Sequence, residues 1–323
     1  MNRTLCLAAA ASIFAGCGGG PTDVQLAPPA AGTGFQLATP TYTVASGTES
    51  QRCYFFSAPP EETWINHVTS ALNPGSHHFT VFRVRTIVKL GGSPGDLVDG
   101  GECFNVSNWA DWPLVTNQQN SDVGHTGFDW QYPAGVGQRF APGELLMLQI
   151  HYVNVAAQNT PGNAKGLVNF YTVDKSKVTA ELGTLFGVTH HVRVCPGDTD
   201  AKASGICRFN SASVTLAAAN GHTHRRGTGF TMSMMKSAAD PAPAKFYESH
   251  TWHDPVFSNE LGVSVPTGGG VRWDCDYAMA ATECANAQDS CCATFGPRED
   301  TQEHCNAFVY YYPKTSDVTC VDN

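Results

Sequence analysis

The sequence predicts an all-β protein built of sandwiches, and three observations carry that reading. Few segments show helical periodicity, while short β-prone runs recur along the chain. Gly, Pro and Asn break those runs, and the 323 residues include 32 Gly and 19 Pro. Charged residues make up 15%, below the usual level of roughly one quarter. The length suffices for two domains, and a boundary near residue 188 gives two halves of similar size.

In order, strands are expected at residues 36–45 and 52–57, the second around Cys53-Tyr54-Phe55-Phe56. A strand at 65–72 leads into the turn Asn73-Pro74-Gly75, which opens a long β-prone run over 76–88. Loops are expected over 91–101 and in an irregular region over 109–137. Strands follow at 145–153 and 167–173, and residues 174–187 lead into the second half. There, 195–207 reads as a polar loop, and strands are expected at 212–219, 229–235, 244–247, 263–265, 271–276 and 307–312.

The formal net charge of −9 argues against a nucleic-acid partner, because phosphate binding needs a basic patch. Residues 1–17 read as a targeting segment, with Arg3 as the basic region and a short apolar core. That core is too short to span a bilayer. Phe14-Ala15-Gly16-Cys17 resembles a bacterial lipobox with Phe14 in place of the usual Leu. Cys17 is therefore the expected lipidation site. Residues 18–35, rich in Gly, Pro and Ala, read as a flexible linker. The domains expected after it are 36–187 and 188–323. The implied location is that of an exported bacterial lipoprotein, held to the outer membrane through its lipid and facing the periplasm or the surface.

Of 12 cysteines, Cys6 and Cys17 belong to the leader. The even remainder is Cys53, Cys103, Cys195, Cys207, Cys275, Cys284, Cys291, Cys292, Cys305 and Cys320, and in an exported chain it reads as a disulfide set. No Cys-x-x-Cys pair favours thiolate metal ligation.

The chemistry sits on histidines. In Asn220-Gly221-His222-Thr223-His224 two imidazoles stand two residues apart, so on a strand they share one face and can aim at one metal ion. His77-His78, His151 and His304 provide further candidates. Neighbours on a regular strand face opposite ways, so His77 and His78 converge only at a strand end or an irregular backbone. Pro74-Gly75 just before them permits that. Three imidazoles around copper or zinc leave a position open for substrate or water. His77, His78 and His151 form one candidate set; His222, His224 and His304 form the other. His67, His125, His190, His191, His250 and His253 show no comparable arrangement.

These stretches together resemble the copper type II, ascorbate-dependent monooxygenases, the family of peptidylglycine α-hydroxylating monooxygenase and dopamine β-monooxygenase. The matching blocks are Ser76-His77-His78-Phe79-Thr80-Val81-Phe82, then Trp130 to Gly137 followed by Leu146 to Tyr152 with His151, and His222-Thr223-His224-Arg225-Arg226-Gly227. Arg272 to Tyr277, and Glu303-His304-Cys305-Asn306 leading to Tyr310-Tyr311-Tyr312, resemble the closing strands. The resemblance implies two tandem jelly-roll-like β-sandwich domains, each binding one copper, facing each other across a water-filled cleft. It implies electron transfer at His77, His78 and His151. It implies O2 activation and C–H hydroxylation of a small molecule at the second copper, with ascorbate or another one-electron donor as reductant. It also implies the disulfides Cys53–Cys103 and Cys275–Cys305. The other six cysteines leave fifteen connectivities open, with Cys320 expected to close on Cys195 or Cys207.

The chain departs from the pattern at His304, where the family has a methionine ligand; imidazole here gives an all-histidine second set with His222 and His224. It departs again where the peptide-amidating branch holds a substrate carboxylate with Arg and Tyr. Those positions are Asn220 and Phe308, although Asn306 is kept, so glycine-extended peptides are not expected substrates. A non-hydroxylating copper-binding surface protein, such as an electron carrier or metal scavenger, is the alternative. A zinc hydrolase is disfavoured because no carboxylate is placed beside the histidines as a general base.

Overall fold

A computed structural model describes residues 23–85, 92–100, 103, 112–119, 127–154 and 162–322. Leader residues 1–17, with Cys17, and His125 lie outside the described residues. The fold is all-β: two jelly-roll-like sandwich halves in tandem, each with its own internal disulfide bonding. No helix among the described residues is long and apolar enough to cross a membrane.

In the first half, one sheet runs Leu97–Asp99, Thr48–Ser57, Leu145–Asn154, Ser76–Arg83, Leu114–Gln118. The facing sheet runs Gly34–Ala38, Gly166–Thr172, Thr63–Leu72, Val136–Phe140, Ala180–Glu181, with Gly127–Gln131 also paired to Thr63–Leu72. The chain crosses between the two sheets several times, as from Thr48–Ser57 to Thr63–Leu72 and back to Ser76–Arg83. In the second half, one sheet runs Val263–Val265, Val214–His222, Asn306–Tyr312, Gly183–Thr189, Val318–Asp322. The other runs Ala201–Arg208, Gly270–Tyr277, Gly227–Met235, Ala244–Ser249.

Several expectations are corrected. Gly183–Thr189 pairs along its length with Asn306–Tyr312, so it belongs to the second half, and the boundary moves from 187/188 to 182/183. The linker expected over 18–35 is held down where it is described. Val24 N donates to Asn73 Oδ1 at 2.7 Å, and Asn169 Nδ2 donates to Ala27 O at 2.8 Å. Strands Leu114–Gln118 and Gly127–Gln131 lie in the region expected to be irregular. The expected loop over 195–207 is overlapped by the strand Ala201–Arg208, whose residues alternate between buried and exposed as a half-covered strand does.

The halves share apolar core. Phe82, Trp112 and Leu114 of the first cluster with Phe186, Ala218, Phe308 and Tyr310 of the second. Phe82 meets Phe186 with ring centroids 5.8 Å apart, and Phe186 stacks on Phe308 at 4.9 Å. Such ring pairs add about 0.5–1.5 kcal/mol beyond the area they bury. A polar tie reinforces them: the Tyr310 hydroxyl donates to Asn117 Oδ1 at 2.7 Å and accepts from Asn117 N at 3.0 Å.

All ten described cysteines are paired. Cys53–Cys103 and Cys275–Cys305 form, and Cys320 closes on Cys207. Cys195–Cys292 and Cys284–Cys291 complete the set.

Candidate metal centre

The turn before the first histidines sets their direction. Ser76 N donates to Asn73 O at 3.0 Å, and Gly75 takes φ +93°, as the third residue of a Pro-Gly turn must. A Cβ on Gly75 would also meet the Tyr152 hydroxyl at 2.7 Å. The chain then enters Ser76–Arg83 with His78 opposite His151, but the next pair is Ser76 with Tyr152. His77 is thus the extra residue of a β-bulge, which turns it away from strict alternation and lets neighbouring histidines converge. Their ring centroids lie 5.1 Å apart, and both rings lie within 5.3 Å of that of His151.

His222 is the last residue of its strand, opposite Asn306. His224 lies past the strand end, so strand periodicity alone does not align the pair. The Glu303 carboxylate accepts from His224 N and Arg226 N, both at 2.9 Å, and holds the backbone in place. Burial pushes Glu303 up to about 8, against those two donors and Arg226. Gly221, between Asn220 and His222, lies so close to Phe230 that a Cβ would meet its ring at 2.4 Å. His304 is fixed from two sides: Cys305 is bridged to Cys275, and the Tyr277 hydroxyl donates to His304 O at 2.6 Å.

All six candidate histidines meet in one cluster. His77 and His78 lie 4.8 and 4.9 Å from His222, and His151 lies 6.1 Å from His224, between ring centroids. The water-filled cleft implied by the resemblance is therefore absent from this arrangement, in which the two sets are in contact. Three groups have ligand atoms within 4.8 Å of one another: His77, His78 and His222; His77, His151 and His224; and His222, His224 and His304. The first two draw on both halves. All six rings are 6% exposed or less.

Burial, reinforced by neighbouring imidazoles, holds His77, His78, His222 and His304 well below the ordinary 6.5. The same desolvation brings His224 down to about 3. Neutral imidazole is the ligating form.

Residues outside the cluster aim the rings. Glu49 Oε2 lies 2.8 Å from His151 Nε2, Gln119 Oε1 2.7 Å from His222 Nδ1, and the Gln302 carbonyl 3.0 Å from His224 Nδ1. Such contacts fix which nitrogen a metal can use. His77 Nε2, both nitrogens of His78, His151 Nδ1 and His224 Nε2 are buried with no hydrogen-bond partner. Unpaired buried polar atoms are costly, and a metal ion satisfies several at once, so the residues fit one. His222 Nε2 and His304 Nδ1 stand 3.0 Å apart.

No family model and no curated protein matches this chain. Among solved structures, it overlaps a protein from "The Triple Jelly Roll Fold and Turret Assembly in an Archaeal Virus" at 8% identity and a TM-score of 0.25, covering 90% of this chain and 61% of that one. A protein of the Sulfolobus turreted icosahedral virus overlaps at 6% identity and a TM-score of 0.25, covering 84% of this chain and 58% of the other. This chain thus spans less than two thirds of either neighbour, and at these scores no function passes from them.

The expectation that no carboxylate stands beside the histidines is corrected by Glu49 and Glu303. Glu303 adjoins His304 in sequence, so it was visible; Glu49 and Gln119 belong to no motif, and only tertiary packing reveals them. Of the other described histidines, His67 pairs with Asp129 at 2.7 Å, and His190 packs on Phe295, whose ring also meets that of His304. Of the amidating-branch positions, Asn306 and Phe308 line a space of about 20 Å³ beside His222 and His304, whereas Asn220 lines a different cavity.

Proposed function

We propose that this chain is an exported copper-dependent monooxygenase that hydroxylates a C–H bond of a small molecule, using O2 and a one-electron reductant such as ascorbate. The observation that carries the reading is the convergence of six buried histidines from four separate stretches. Order and spacing in the sequence support the same family. His222, His224 and His304, whose ligand atoms converge as one group, would hold one copper; His77, His78 and His151 would hold the other, although their ligand atoms converge only in groups that also take His222 or His224. Copper so bound would supply one-electron redox chemistry and O2 activation.

The chain's own residues shape that chemistry. Glu49, Gln119 and the Gln302 carbonyl hold the rings so that the opposite nitrogens face inward. His304 replaces a soft thioether with imidazole, which favours Cu(II) more than sulfur does. Burial excludes bulk water from all six rings. The roughly 20 Å³ beside His222 and His304 is too small for an organic molecule, so substrate reaches those nitrogens only if the halves separate.

That closure favours a second reading, a non-catalytic copper-binding or electron-transfer lipoprotein. Metal analysis of the purified chain, anaerobic reduction by ascorbate and O2 uptake in the presence of candidate substrates separate the two. Uptake that rises on adding a substrate supports the enzyme; reduction without uptake supports the carrier. Absence of copper on loading rejects both. The disulfides fit an oxidising compartment. Membrane attachment through Cys17 is tested by Cys17→Ser, which should release the protein and abolish lipid labelling.

A further inference from the structure

A second cavity, of about 220 Å³, opens where the two halves meet, and its wall is chemically unusual. Carboxamides from both halves line it: Asn117 and Gln119 from the first, Asn220 from the second. All three side chains are 4% exposed or less, and each keeps one polar atom without a partner: Asn117 Nδ2, Gln119 Nε2 and Asn220 Oδ1. Their orientations are set from behind. Tyr310 donates to Asn117 Oδ1 at 2.7 Å, which leaves the Asn117 amide N–H2 as a free donor. Gln119 Oε1 is taken by His222 Nδ1 at 2.7 Å, which leaves the Gln119 N–H2 likewise. The rest of the wall combines Gln118 and Asp254 with Gly127, Pro255 and apolar side chains. Phe128 and Phe257 meet edge to face across the junction, with centroids 4.7 Å apart, and Val256 forms part of the rim at 50% exposure.

We propose that this cavity is a binding subsite for an uncharged ligand carrying a carboxamide-like group on a single apolar or aromatic ring. Two fixed N–H donors match a carbonyl oxygen, and the free Asn220 carbonyl matches the ligand's own N–H. Buried amides that stay unpaired cost free energy, so a ligand that satisfies all three is selected over one that cannot. A carboxylate would enter without a Lys or Arg among the lining residues, and only Asp254 in that lining carries charge. The volume lies below the roughly 300–1,000 Å³ of pockets for drug-sized ligands, which limits the ligand to about one ring. Gln119 touches both this cavity and His222, so an occupant sits one side chain from the histidine cluster. As the substrate subsite of the proposed oxygenase, the cavity rests on that reading; as a recognition site, it stands on its own lining.

Three probes of similar shape and different charge test it: benzamide, benzoate and benzylamine, titrated by ligand-observed NMR into metal-free and copper-loaded full-length protein. Benzamide should bind at least about tenfold more tightly than either charged probe, in both forms. Asn220→Leu should reduce benzamide binding at least about fivefold while copper content stays unchanged. Val256→Arg alters an exposed rim position and so spares the core; it should raise benzoate affinity relative to benzamide. Equal binding of all three probes, no benzamide binding, or benzylamine as the tightest ligand overturns the assignment, the last because Asp254 would then govern recognition. Failure to bind copper or consume O2, with benzamide selectivity intact, removes the oxygenase reading and leaves the subsite.

Discussion

Glu49 Oε2 stands 2.8 Å from His151 Nε2, so only Nδ1 of that ring remains for a metal. The carboxylate also accepts from Glu299 N at 2.9 Å, which ties the first half to the segment leading into His304. Glu49→Gln should leave the fold intact and weaken copper binding by about 10–100-fold, the usual effect of losing a partner behind a ligating histidine. Competition against a chelator of known affinity reads this directly. Unchanged affinity would show that His151 does not ligate.

His304 should contribute an imidazole to the second-half metal, because the Cys275–Cys305 bridge and Tyr277 fix its direction from behind. X-ray absorption should count one imidazole fewer in His304→Ala. His304→Met should make the copper easier to reduce, since thioether suits Cu(I). The proposal fails if the ligand count in His304→Ala matches that of the wild type.

Copper ions held by these contacting sets should be close enough to couple magnetically. The fully loaded Cu(II) protein should give an EPR spectrum broadened by dipolar or exchange interaction, and His77→Ala should weaken it, because His77 joins two groups that include second-half histidines. Two sharp, non-interacting Cu(II) signals would mean that the loaded chain separates its halves.

The Cys275–Cys305 bridge should matter to both stability and metal. Replacing both cysteines with alanine should cost about 2–5 kcal/mol in reversible unfolding and lower copper affinity at the second set. A stable variant with wild-type affinity would show that packing alone holds His304.

Glu299 gives the pH dependence. Burial raises it from 4.5 to about 7, helped by Glu49 and Asp300 and opposed by Arg225 and Arg226. The folded state therefore holds a proton that the unfolded chain has already released between those values. Its contribution is fully present below about 4.5 and is lost as pH rises through about 7. Glu299→Gln should flatten the decline in melting temperature across that window; an unchanged slope assigns the decline to other groups.

The sequence made the all-β class and the six histidines legible because alternation and turn residues are local signals. Ser76–Arg83 and Gly270–Tyr277 fall where β-prone runs and the Pro-Gly turn placed them. Missed strands had other causes. Leu114–Gln118 carries Asn117 and Gln118 in a wholly buried run, so no polar alternation marks it. Ala201–Arg208 has small residues where large apolar ones usually advertise a strand, because Gly205 must leave room for Trp273. The bulge at His77 was foreseen as a need for irregular backbone, but its position depends on pairing with a strand some seventy residues away. The contact between the two histidine sets was not legible, since the order of motifs says nothing about the distance between halves.

The depth of those six rings makes copper acquisition a matter of timing. A chain that folds bare should take up the ion at the rate at which its halves part, not at the rate of encounter in solution, because the apolar seam of Phe82, Phe186 and Phe308 has to open first. Metal supplied during refolding should enter quickly; metal supplied afterwards should enter slowly, and the retained ion should be as slow to leave.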